Sequence, residues 1–156
     1  MRQLAGLTAF LVGLDLVAAE QIDAWAENPQ AIPAGTVKGA NTIVLFRLKY
    51  DAMVVIERFP HRVHDPELLF GQVCAWLMEH DGDDIRSDNS EAVIHTEVDI
   101  LDDETADIIM TIDFLEDVTA YEDVAGPISL AGKHYRLDPG DIWFAESGDV
   151  TADIAQ

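Results

Sequence analysis

An α+β domain, with a mostly antiparallel or mixed sheet and two helices packed on one face, is the fold this sequence predicts. Three observations predict it. Val44, Phe46, Leu48, Tyr50, Ala52, Val54 and Ile56 alternate with a mixed second row, the period-two signature of a long strand with one buried face. Leu4, Leu7, Leu11 and Leu14 recur at spacings of three and four, the stripe of an amphipathic helix. The order along the chain is helix, strands, helix, strands, which suits helices gathered on one side of an antiparallel sheet.

The first helix is expected over residues 2–13, with Phe10 beside the leucine stripe and Gly6 and Gly13 weakening it by up to ~1 kcal/mol each. A short strand carrying Trp25 is expected over Gln21–Glu27. Pro29, Pro33 and Gly35 then mark residues 28–35 as loop. The strand over residues 44–56 exceeds the usual length of about 5–6 residues, so it is expected to bend near Asp51-Ala52 and to project beyond its domain.

Asp65-Pro66-Glu67 supplies a capping acid, a proline at the first helical position and an acid in the first turn. The helix it opens places Leu69, Val73, Trp76 and Leu77 on one face and ends at Asp81-Gly82. An acidic loop over residues 81–91 is expected next. A hairpin follows: Ile94, Thr96, Val98 and Ile100 form one face of its first strand, with His95, Glu97 and Asp99 opposite. Ile108, Met110, Ile112 and Phe114 form one face of its second. A last pair is expected through residues 128–130 and 134–137. Asp138-Pro139-Gly140 reads as a turn and Ile142-Trp143-Phe144 as a short apolar run. The division expected is one domain over residues 1–145 and an acidic tail over residues 146–156.

The 156 residues, 49% of them hydrophobic, suffice for one ordinary core, so the chain as a whole is not a disordered acidic segment. The charge is lopsided. Thirty acids face nine bases, giving −21. Residues 1–64 are balanced, with Arg2, Lys38, Arg47, Lys49, Arg58 and Arg62 against six acids. Residues 65–156 therefore carry the whole excess. Such a polyanion is repelled by nucleic acid and by anionic membrane surfaces. The one cysteine, Cys74, forms no intrachain disulfide and is expected as an inert thiol near the second helix's apolar face. Asp15 interrupts the N-terminal apolar run and Met1 precedes it, so a cleaved signal peptide is not expected. No stretch reaches the ~20 apolar residues of a membrane span.

Chemistry is sparse. His61-x-x-His64 has a metal-like spacing, but it precedes the helix, lies between Pro60 and Pro66 and lacks further ligands. Surface histidines are the expectation. Asp81, Asp83, Asp84 and Asp88 fail the calcium-loop pattern, because Ile85 stands at the fifth position and Gly82 at the second. His95, Glu97 and Asp99 share a strand face, read as exposed and acidic rather than catalytic. No nucleophile motif, phosphate loop or dinucleotide fingerprint is present. No catalytic residue, cofactor or metal is expected.

One family does resemble this chain. Met1-Arg2-x-Leu4 with Leu7, Phe10 and Leu11, then Ala75-Trp76-Leu77, then Glu97-Val98-Asp99-Ile100-Leu101, Asp102-Asp103 and Asp107-Ile108 are similar to the tail-completion protein R family of contractile-tailed temperate phages. The likeness covers residues 1–120. It implies a non-enzymatic virion protein at the tail–neck junction, present in the host cytoplasm during assembly. Such a protein caps the head-proximal end of the tail, stops tube and sheath polymerisation and offers the head-joining surface. The analogy extends to tail terminators that form a hexameric ring around the DNA channel. The partners implied are further copies, tube and sheath proteins, neck or head-completion proteins, and DNA in passage without specific binding.

A head-to-tail ring needs two different patches that meet. Arg47, Lys49, Arg58 and Arg62 are expected to face the acidic half of a neighbour. Glu97 and Asp99 are expected on a channel-lining acidic face, where like charge keeps DNA from adhering. Three other readings stay open: a different neck or head–tail connector protein, an acidic DNA mimic that inhibits a DNA-binding enzyme, and a small acidic enzyme, for which the sequence offers no site.

Overall fold

A computed structural model describes residues 1–80 and 94–139. The elements run α1 (Arg2–Gly13), a short 3₁₀ turn, β1 (Ile22–Gly39), β2 (Thr42–Phe59), α2 (Pro66–His80), β3 (Ile94–Ile100), β4 (Ala106–Glu122), β5 (Ile128–Leu130) and β6 (Lys133–Leu137). The six strands form one sheet of order β1-β2-β4-β6-β5, and β3 pairs with the other half of the same β4 edge. Every pairing is antiparallel.

The inward row of β2 behaves as its alternation predicts. Tyr50, Ala52, Val54 and Ile56 are buried and oppose Phe114, Ile112, Met110 and Ile108 of β4. Both helices cover this row. Leu7 and Leu11 of α1 and Leu69, Val73, Trp76 and Leu77 of α2 join one cluster with it, and the Phe10 and Trp76 rings lie 6.4 Å apart. The cap of α2 is as expected: the Asp65 carboxylate accepts the Glu67 N–H at 2.9 Å. A small second cluster of Ile43, Ala120 and Tyr135 seals the far end.

Several expectations need correction. Residues 28–35 are not loop; β1 runs through them for 18 residues. β1 is an edge strand, so Pro29 and Pro33 forfeit no ladder bond on their open side. Two register breaks absorb the irregularity, between Glu27 and Gln30 and between Pro33 and Thr36, where Asn28 (φ 54°) and Gly35 (φ 68°) adopt left-handed backbone. The bend expected in β2 at Asp51-Ala52 is therefore carried by its partner. β2 itself breaks register with β4 near Val44/Phe46 and near Ile56/Phe59.

Nor does β2 project. β4 continues past Phe114 to Glu122 and stays paired with β2 as far as Thr42 and Tyr121. Cys74 is exposed, one position from buried Val73, because a helix turns about 100° per residue and carries it off the apolar face. Only Ile94 of β3's inward row packs on the core, since the strand lies at the sheet edge. The acidic segment 81–91, with its calcium-like acids, the apolar run 142–144 and the tail 146–156 lie outside the described residues, as does Gly140 of the expected turn.

Candidate functional site

The four bases expected at a subunit interface do not form one patch. Arg47 and Lys49 stand on the outer row of β2, opposite Asp117 and Leu115 of β4. Arg58 sits in the bulge at the other end of β2, and Arg62 lies in the turn beyond it. Arg58 lies eleven residue steps along the strand from Arg47, a span of roughly 35 Å at about 3.3 Å per step. Arg47 is also tied within its own chain, its Nε lying 3.2 Å from Asp117 Oδ1. Lys49, Arg58 and Arg62 are exposed and make no ion pair among the described residues.

Glu97 and Asp99 point to the outer side of the sheet from β3, opposite Ile109 and Asp107 of β4. Both are exposed. They share the helix-free outer face with Arg47 and Lys49 but lie two strands away and toward the opposite end.

His61 and His64 are not aimed at a common point. The His61 Nε2 lies 3.1 Å from the Asp102 carbonyl, and the His64 ring packs beside Phe59. Among the described residues no three His, Cys, Asp or Glu side chains converge as a metal set. A cleft of about 140 Å³ between the β1–β2 turn and β6 includes the Lys133–Glu122 pair. It is well below the ~300–1,000 Å³ of ligand pockets.

Among the described residues Glu116 is a buried acid, and sequence reasoning missed it. It accepts the Tyr50 hydroxyl and the backbone N–H groups of Arg2 and Gln3, while the Leu4 N–H donates to the Tyr50 oxygen. The signal was present: Glu116 extends the inward row of Ile108, Met110, Ile112 and Phe114 by one step of two. Burial, and then the adjacent carboxylate, push the Tyr50 hydroxyl far above its ordinary value, so it stays a donor. The arrangement ties α1 to the sheet.

What the molecule offers is therefore edges and faces. Among the described residues no helix lies on the outer sheet face, and neither the outer edge of β1 nor that of β3 pairs with a strand. Among the described residues no helix is long and apolar enough to cross a membrane.

Comparison with known proteins bears on these surfaces. Residues 1–139 match the family model of the P2 phage tail completion protein R (GpR). An uncharacterised 19.2 kDa protein from the rep–hol intergenic region of Haemophilus phage HP1 is 32% identical over 130 residues, covering 83% of this chain and 77% of that one. No solved structure matches.

Proposed function

The chain belongs to the P2 phage tail completion protein R family, a family of structural phage tail proteins, and from that premise we propose that it caps the head-proximal end of the tail. In this reading it stops growth of tube and sheath and presents the surface that neck or head-completion proteins join. Copies form a closed ring, a hexamer by analogy with tail terminators, around the path of the DNA, and the ring resides at the tail–neck junction of the virion.

The observation that carries the reading is the family match over residues 1–139, nearly the whole chain. The structure is consistent with it. The buried polar cluster at Glu116 secures a helix rather than a reaction, and the accessible features are open strand edges and a bare sheet face. Lys49, Arg58 and Arg62 are exposed cations available to a neighbour's acids, with Arg47 shared between that role and Asp117. Glu97 and Asp99 are exposed on the outer sheet face, and in this reading that face lines the channel, where like charge keeps the packaged DNA from adhering.

Gold-labelled antibody fragments against this chain, applied to purified particles, test the placement. Label confined to the junction of tail and head is the expected result. Label along the tail shaft, at the distal end, or only on unassembled material contradicts it.

A further inference from the structure

We infer that the outer face of α2 is a docking surface for a second copy of this chain, two α2 helices packing antiparallel about a two-fold axis. The inner face of α2 lies on the core through Leu69, Val73, Trp76 and Leu77. The opposite face is apolar as well. Leu68, Gly71, Cys74, Ala75 and Met78 are all exposed, Leu68 at 61% and Met78 at 76%. Val63, exposed in the turn before the helix, extends the strip. A quarter of the whole chain is charged, yet residues 68–78 contain no charged residue. A helix apolar on every side is ordinarily a buried one, and a contiguous exposed apolar surface marks an interaction site. α1 packs alongside through Phe10 and Trp76 and continues this surface with exposed Ala9 and Val12.

Gly71 supplies a second observation. Glycine inside a helix costs stability relative to alanine. A Cβ added at Gly71 would meet nothing within 4 Å, so no packing within this chain requires a glycine there. With Ala75 one turn on, it leaves a shallow notch between Leu68 and Met78 that lets a second helix approach closely. In an antiparallel pair the two notches meet at the centre, and Met78 of one copy reaches Leu68 of the other. The pattern is therefore self-complementary, as a two-fold contact requires. Charge favours the same occupant and orientation. Copies of a chain with net charge −21 repel each other, so self-association favours an uncharged strip. Antiparallel packing sets the positive end of each helix, with exposed Arg62 in the turn before it, beside the negative end of its mate, with exposed Glu79. Two helices of about 18 and 22 Å offer a small face, at the low end for stable interfaces, so the dimer is expected to be reversible. A contact that closes at two copies does not build the ring proposed above. It describes the protein before it enters a tail and stands independently of the capping role.

The test uses the purified full chain. Sedimentation velocity at rising concentration is expected to show a monomer passing to a dimer and to nothing larger. Under the same conditions a bismaleimide is expected to link the native Cys74 thiols, one per chain, into a covalent dimer. Gly71→Glu sets a like charge at the centre of the contact, where the side chain has open space within its own copy. It is expected to weaken the dimer at least several-fold, while the thermal midpoint of the dilute protein does not fall, because glutamate is the better helix former. A chain that stays monomeric at every concentration, with Cys74 unlinked, would overturn the inference and leave the face to another tail protein. So would a dimer that Gly71→Glu leaves intact, since a different surface would then hold it, and so would association that continues past two copies.

Discussion

The Tyr50 hydroxyl lies 2.5 Å from the Glu116 carboxylate, inside the protein and across the β2–β4 pair. The same carboxylate accepts the Arg2 and Gln3 N–H groups at 2.8 and 3.2 Å, and the Leu4 N–H meets the tyrosine oxygen at 3.2 Å. Helix starts leave N–H groups unpaired, and a cap normally comes from the preceding residue. Here the cap comes from a strand more than a hundred positions away, which fixes where α1 lies on the sheet.

Glu116→Leu is expected to leave these donors without partners and to destabilise the fold by about 2–3 kcal/mol, near the upper end for stranded buried groups. Urea unfolding with Glu116→Gln beside it checks this. The glutamine keeps an acceptor oxygen and is expected to lose less.

Alkaline titration should separate Tyr50 from the other tyrosines. Its folded value is raised above the ordinary 10.0, first by burial and then by Glu116. A raised group contributes stability that is fully present below its unfolded value and declines as pH rises above it. Stability is therefore expected to fall above about pH 10, with the Tyr50 phenolate absorbance appearing only as the chain unfolds. Tyr50→Phe should flatten that slope.

Phe114 is fully buried between Tyr50 and the helix layer, with the two rings 5.7 Å apart. Phe114→Ala is expected to cost about 3–5 kcal/mol through lost burial and a residual cavity. Thermal unfolding measures it, and a loss of less than about 1 kcal/mol would contradict the packing described.

Gly126 packs so closely on the Tyr135 carbonyl that an added Cβ would collide with it. Gly126→Ala is expected to displace β5 from β6 while leaving the main core in place. Amide exchange should quicken across residues 128–137 and stay slow across residues 50–56.

Asp102 and Asp123 should protonate below the usual aspartate range. Asp102 is held down by the Glu104 and Thr105 N–H groups and the Thr105 hydroxyl; Asp123 is held down by Arg136 and then by the Ala125 N–H. Depressed acids stabilise above their unfolded value, near 3.9, and lose that contribution as pH falls through the folded one. Carboxyl NMR titration is expected to show the β3–β4 turn and the β4–β5 turn loosening in acid.

Much of the fold was legible because pattern and propensity agreed. The leucine stripe placed α1 over residues 2–13, and Asp65-Pro66-Glu67 placed the start of α2. The alternation in β2 named Tyr50, Ala52, Val54 and Ile56 of the buried row, while Phe46 and Leu48 are half-buried beyond the register break near Val44/Phe46 and Ile43 is buried out of phase. The first part of β1, through Glu27, was legible, but its continuation over residues 28–39 was hidden because proline and glycine signal loop, and only an edge position in the sheet excuses them. The length of β4 was hidden because Glu116 and Asp117 look like a polar ending, although Glu116 keeps the inward phase. The bases at 47, 49, 58 and 62 looked like one patch in sequence, but strand rise spreads them along the sheet.

Tail length measured by electron microscopy, in particles from the encoding phage with this gene deleted, tests the capping role most directly. Filled heads beside detached tails of uncontrolled length are the predicted result, because an uncapped tube keeps growing. Detached tails of normal length would make the chain a connector, and complete infectious particles would contradict a structural role and favour the acidic DNA-mimic reading.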